Sequence, residues 1–202
     1  MRKILMSMLG SLLVATGVLA QEKKVNGGII GGVSMDWYEQ KENISALNAL
    51  RGNVACSFHI GYQTQFYFRH RFSVDAALLY GQRRGKFFSH YGHTPGSDPD
   101  EKFAKNYLAL GGVVNYRLFN RWKAGVGVEP TYYFKETVLY ANTMKATFDI
   151  PLVVKLAYSF PGFDVSLAYK NGFCNVMKGI PSMEKSQVRD LQLSVYVPIF
   201  RK

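Results

Sequence analysis

The chain has 202 residues and carries 25 Lys+Arg against 14 Asp+Glu, a formal charge of +11. A chain of this length forms one domain able to bury a sizeable core, and its 2 cysteines are too few for a disulfide scaffold. So basic a balance implies an anionic neighbour.

From the N-terminus, "MRKILMSMLGSLLVATGVLAQ" places Arg2 and Lys3 before an apolar run from Ile4, then small residues up to Ala20. That order is a secretory signal peptide, with Val18 and Ala20 fitting the cleavage pattern. Residues 1–20 are expected to be removed before Gln21, leaving 21–202 as one domain; an uncleaved anchor is the alternative. Export turns the anionic partner away from nucleic acid and toward lipid headgroups or lipopolysaccharide phosphates. No later apolar run reaches the ~18 residues of a membrane helix, so any further crossing is made with strands.

The rest of the chain alternates with period two. Eight segments do so, at about 27–38, 53–68, 72–84, 104–119, 122–136, 145–160, 163–176 and 188–200. In the second, Val54, Cys56, Phe58, Ile60, Tyr62, Phe66 and Phe68 oppose small or polar residues. In the sixth, Phe148, Ile150, Leu152, Val154, Leu156, Tyr158 and Phe160 oppose Thr147, Asp149, Pro151, Val153, Lys155, Ala157 and Ser159. In the last, Leu191, Leu193, Val195, Val197 and Ile199 oppose Gln192, Ser194 and Tyr196. Three connections are very short, at 69–71, 120–121 and 161–162, and they alternate with longer ones near 39–52, 85–103, 137–144 and 177–187. Aromatic pairs bracket each short turn: Phe68 and Phe72, Phe119 and Trp122, Phe160 and Phe163.

An even strand count, short turns alternating with long loops, and aromatics flanking an outward apolar band are the pattern of an outer-membrane barrel. The expected fold is therefore all-β: an eight-stranded antiparallel up-and-down transmembrane β-barrel in the cell outer membrane. The aromatic pairs would form an interface girdle. Arg69, His70 and Arg71, with Arg121, Lys123, Arg201 and Lys202, would form a basic rim at the level of inner-leaflet headgroups.

The segments "FHIGYQTQFYFRHRFSVDAALLYGQRRGK", "FDIPLVVKLAYSF" and "FDVSLAYKNGF" resemble the PorT-like outer-membrane β-barrel domain proteins abundant in Bacteroidota. The resemblance spans essentially the whole chain after the signal peptide and implies fold and location. It also implies an accessory role in secretion or outer-membrane assembly. The chain departs from the common terminal signal, because Arg201 and Lys202 follow the aromatic Phe200.

The other strand face holds the charges. Alternation puts Asp75, Arg117, Glu129, Asp149, Lys155 and Lys170 inside, three acids against three bases. Eight strands leave an interior that side chains fill, so balanced charge there reads as an ion-paired plug, with an ion path as the alternative. Glu129 and Lys155, on consecutive strands, are the expected neighbours.

Catalytic and ligand motifs are thin. Two residues after His59, His70, His90 and His93 stand Gly61, Phe72, Gly92 and Pro95, so no His-x-Ser pair exists. Ser73, Ser159, Ser166 and Ser194 have no evident base at their height, as acyl transfer would require. In "GVGVEP" (125–130), Pro130 replaces the third glycine of a dinucleotide fingerprint, and the glycines read as space for inward neighbours. "HYGHTPGSDPDE" (90–101) offers His90, His93, Asp98, Asp100 and Glu101 to a metal, but Pro95, Gly96 and Pro99 make it a solvated recognition loop. Cys56 is expected toward lipid and Cys174 inward, too far apart to bridge.

The reading is a non-enzymatic barrel without cofactor or metal. Its outer loops, 85–103 above all, would contact lipopolysaccharide, another protein or a host ligand. A soluble periplasmic carrier of a lipophilic ligand, built like a lipocalin, is the alternative from another class.

Overall fold

The computed structural model describes residues 24–40, 55–68, 71–87, 101–137, 143–176, 178 and 186–201. The expected signal peptide, residues 1–20, and the histidine pair of 90–93 lie outside the described residues. Eight staves make the barrel: β1 (Val25–Gln40), β2 (Ala55–Tyr67), β3 (Phe72–Phe87), β4 (Glu101–Arg117), β5 (Trp122–Val128, resuming at Thr131–Tyr133), β6 (Thr147–Asp149, resuming at Leu152–Ser159), β7 (Asp164–Asn171) and β8 (Ser186–Arg201). Each pairs antiparallel with the next, and β8 closes on β1 with Asn26 opposite Arg201. Closure removes the sheet edges that an open meander would leave unpaired.

Alternation decides the faces. On β8, Leu191, Leu193, Val195, Val197 and Ile199 are exposed on the outside, while Gln192, Ser194 and Tyr196 are buried inside. The same division runs round the barrel: Ile29, Ile60, Leu78, Leu110, Val126, Val154 and Leu167 point out, and Asp36, Gln63, Asp75, Lys155 and Lys170 point in. Apolar outside and ionic inside is the reverse of a lipophile carrier, so the soluble lipocalin-like alternative is overturned. Such an exterior is stable only where lipid replaces water.

Two prolines interrupt staves that the alternation reads as continuous. β5 pauses at Glu129-Pro130 and β6 at Ile150-Pro151, because proline has no N–H to give the ladder. The ladder is spliced there by Glu129 N–H donating to the Pro151 carbonyl at 3.0 Å and Leu110 N–H to the Pro130 carbonyl at 2.9 Å. β7 also stops at Asn171, short of the expected 176; beyond it, Gly172 N–H still reaches the Val188 carbonyl at 2.8 Å.

Other staves run further than expected. A tilted strand crosses the hydrocarbon in about 9–11 residues. On β3 the outward apolar residues span Phe72 to Tyr80, after which Gln82 and Arg84 face out. The β3–β4 ladder nonetheless continues to Phe87 opposite Glu101, so this hairpin stands above the apolar band on the long-loop side. Gln82 donates to Asn106 Oδ1 across it at 3.2 Å, and Arg84 donates to Gln82 at 3.0 Å.

The short turns are tight. Phe68 N–H donates to the Phe72 carbonyl, Leu118 N–H to Trp122 and Phe160 N–H to Phe163, at 2.9, 3.0 and 2.8 Å. Gly162 takes φ 110 with open space where a side chain would lie, as glycine does without strain. Arg71 takes φ 72, a left-handed conformation that costs an L-residue about 1 kcal/mol.

Candidate functional site

The lumen holds stacked tiers of ion pairs, beginning at the short-turn mouth. There Lys123 meets Asp164 at 2.9 Å; Gln65 donates to the same carboxylate at 3.2 Å, and Tyr67 donates to Gln65 at 2.6 Å. Above it, Lys155 donates to Asp75 at 2.7 Å. Higher still, Lys170 donates to both oxygens of Glu129 at 2.6 and 2.8 Å. The six ion-paired side chains are at most 14% exposed. An enclosed charge requires such a partner, since removing one member of a buried pair is destabilising by about 3–5 kcal/mol.

The top tier is the densest. Arg83 Nη1 meets Asp36 at 2.9 Å and Nη2 meets Asp190 at 2.5 Å. Ser57 and Ser34 donate to Asp36, and the guanidinium lies 5.3 and 5.7 Å from the ring centres of Tyr107 and Tyr133. Lys105 donates to the Val176 carbonyl at 2.6 Å, the Lys145 carbonyl at 3.1 Å and Thr147 at 3.1 Å. Asp149 accepts the N–H groups of Ile150, Phe173 and Cys174 at 2.8–3.0 Å, tying the segment after β7 to β6.

Of the residues expected inside, Asp75, Glu129, Asp149, Lys155 and Lys170 are buried in the lumen, but their partners differ from the expectation. Glu129 pairs with Lys170, and Lys155 with Asp75. The β5–β6 register sets Lys155 opposite Gly125, four positions before Glu129 and about 13 Å away along the strand. Counting from the turns neglects the stagger that barrel closure imposes. Arg117 is the second correction: it shares the inward parity but is the last residue of β4, and is exposed at the mouth. Lys123 is the third. Expected on the rim, it is buried beside Asp164.

Arg83, Asp36 and Asp190 were missed, although parity places each on the inner face. Arg83 continues the series Asp75, Ala77, Leu79 past the point where the outward apolar residues stop. The GVGV glycines act as expected at Gly125, where a Cβ would lie 2.3 Å from the Asn115 side chain.

Ser194 has a base nearby after all: His59 Nε2 is 3.0 Å from Ser194 Oγ. Strand pairing, invisible in the linear sequence, brings them together. The Gln192 amide lies 2.7 Å from the same nitrogen, so the lone pair that a general base would need is engaged, and all three side chains are buried. Below this group is a cavity of about 40 Å³ between Glu129, Lys155 and Gln192, room for no more than a few waters. No cluster able to hold a metal occurs among the described residues.

At the short-turn end, Phe72, Phe119, Trp122, Phe160 and Phe163 are exposed and Phe68 is half-buried. Phe72 packs on Tyr116 at 5.1 Å, and Trp122, Tyr158, Phe160 and Phe163 form a chain of rings at 4.7–5.0 Å. Both cysteines are free. Cys174 is exposed beyond β7 instead of inward, and partial burial, then the Asp149 carboxylate, push its thiol up from the ordinary range.

The family model described as an outer membrane protein beta-barrel domain matches residues 19–178. Among solved structures, Ail, the attachment invasion locus protein of Yersinia pestis, in complex with the heparin analogue sucrose octasulfate, is 10% identical with a TM-score of 0.51, covering 89% of this chain and 100% of that one. Neisserial surface protein A is 9% identical with a TM-score of 0.52, covering 88% and 99%. Identities this low speak to the fold alone. No curated protein matches the chain in sequence.

Proposed function

Since the chain belongs to the outer membrane protein β-barrel domain family and resides in the outer membrane, we propose that it is a non-enzymatic barrel acting as a structural or surface-interaction protein through its long-loop end. The plugged lumen carries this reading. Ion pairs at four levels, with a mid-lumen cavity of only about 40 Å³ among the described residues, support a filled barrel whose larger space, about 370 Å³ beside Lys123 and Asp164, lies at the short-turn mouth, so recognition falls to the ends. The β3–β4 hairpin, raised above the apolar band with Gln82, Arg84 and Asn106 on its faces, supports this reading. The partners would be lipopolysaccharide or a protein at the cell surface. Ail, seen with a heparin analogue, is a barrel of this fold that holds a polyanion.

Two measurements test it. Purified protein in planar bilayers should show no steady conductance; reproducible currents altered by Lys155→Met would make the lumen the functional site. Replacing 88–100 by a short Gly-Ser turn should leave a folded barrel that loses its surface partner in crosslinking on intact cells.

The PorT-like resemblance supports a second reading, an accessory role in secretion or assembly. Arg71, Arg117 and Arg121 at the short-turn end favour it, because such turns face the periplasm, where secretion partners dock. Loss of exported cargo from a strain lacking the protein, restored by wild type and not by Arg117→Glu with Arg121→Glu, would select this reading.

A further inference from the structure

Outside the plugged lumen, the short-turn rim carries a cleft of about 960 Å³ between the β2–β3 and β4–β5 turns. Arg71, Arg117 and Arg121 line it together with Phe119, Trp122 and Tyr158. Arg71 and Arg117 also line a smaller cavity of about 130 Å³ beside Tyr67 and Lys123. Among the described residues no acid lines either space; a third cavity, of about 370 Å³, brings Arg117 alongside Lys123 and Asp164. Asp164, the nearby carboxylate, is occupied by Lys123 and Gln65. The three guanidiniums therefore have no ion-pair partner among the described residues.

The backbone adds an independent sign. Arg71 occupies φ 72, where glycine would sit without strain. Strained positions persist where the surrounding structure holds them, and they cluster at ligand sites.

We propose that this cleft binds the phosphate of an anionic diacyl glycerophospholipid from the periplasmic leaflet. Guanidinium forks match phosphate oxygens in bidentate geometry, which accounts for the headgroup. The tails are accounted for by the apolar wall: Leu118, Phe119, Trp122 and Tyr158 line the cleft, and the strands that lead away from it, β4 and β5, expose Val114, Tyr116 and Val126 on their outward faces. Trp122 and Tyr158, packed edge-to-face at 5.0 Å, stand at the boundary where an aromatic ring meets the glycerol region. Soluble phosphate would use the arginines and leave the apolar wall idle.

Native mass spectrometry of the folded, detergent-purified barrel with equimolar phosphatidylglycerol and phosphatidylcholine tests this. Wild type should retain phosphatidylglycerol preferentially. Arg117→Gln with Arg121→Gln should lower that retention by about fivefold per arginine, the scale of one cation near an anionic headgroup. Lys135→Gln, at the opposite end, should leave it unchanged. Arg71→Gly guards against a folding artefact, because it relieves the turn while removing a cation: it should keep heat-modifiable mobility and still lose about fivefold. Equal retention of the two lipids by wild type, or undiminished retention in the folded arginine variants, overturns the proposal. Inorganic phosphate binding as tightly as the lipid would assign the site to a soluble ligand and overturn it as well. None of these outcomes depends on what the outer loops bind.

Discussion

Arg83 and Arg117 share the inward parity of neighbouring strands, yet they lie at opposite ends of the barrel in opposite circumstances. Arg83 is 3% exposed between Asp36 and Asp190, under a roof of Tyr107 and Tyr133. Arg117 is exposed at the mouth, in a cleft that no carboxylate lines among the described residues. Burial therefore decides what an arginine is for: inside, it must be neutralised and belongs to the fold; at the rim, water and headgroups solvate it and its charge is available to a ligand. At the long-loop end the charges are paired and enclosed; at the short-turn rim, outside the Lys123–Asp164 pair, the arginines are exposed.

The sharpest way to break this comparison is to neutralise each arginine in turn. Arg83→Met leaves two carboxylates facing each other without a cation, a loss of about 3–5 kcal/mol, whereas Arg117→Met should shift stability by less than about 0.5 kcal/mol. Urea midpoints for folding into lipid vesicles read both, and equal losses would erase the distinction.

The mid-lumen pairs refine it. Lys155→Met should lose about 3–5 kcal/mol, and adding Asp75→Asn should recover part of that. Adding Glu129→Gln should recover nothing, since Lys170 holds Glu129. The double-mutant cycle separates the observed partner from the one that spacing suggests.

A smaller effect belongs to the lipid face. Val195→Arg should cost about 2–4 kcal/mol if the site lies near the midplane, and tolerance equal to Val195→Ala would reverse the assignment of β8. Smallest is a rate at the long-loop end. Because burial and Asp149 raise the Cys174 thiol, less thiolate is present at neutral pH and alkylation should accelerate only as pH climbs past the usual thiol range. Asp149→Asn should shift that acceleration to lower pH; an unchanged iodoacetamide profile would remove Asp149 from the explanation.

Strand number and facing were legible because period two is local: Leu191, Leu193 and Val195 declare their side without reference to any other strand. Pairing was not. Which base meets which acid depends on stagger between staves, so Lys155 and Glu129 look adjacent when counted from turns and are about 13 Å apart along the ladder. Arg83 was hidden for a different reason, since the outward residues beside it, Gln82 and Arg84, turn polar where the hairpin leaves the membrane and the alternation fades. The His59–Ser194 contact joins β2 to β8 and has no trace in either strand.

The closing ladder sets the order of events in folding. β1 meets β8 with Asn26 opposite Arg201, the longest separation among the ladder pairs of the described residues, and loop-closure entropy makes such contacts late and slow. Asp190 arrives on that last strand. Until it does, Arg83 has only one of its two carboxylates and the interior stays open to water. The tier that most resists opening is thus completed by the same step that seals the cylinder, and an unfinished barrel has no latch.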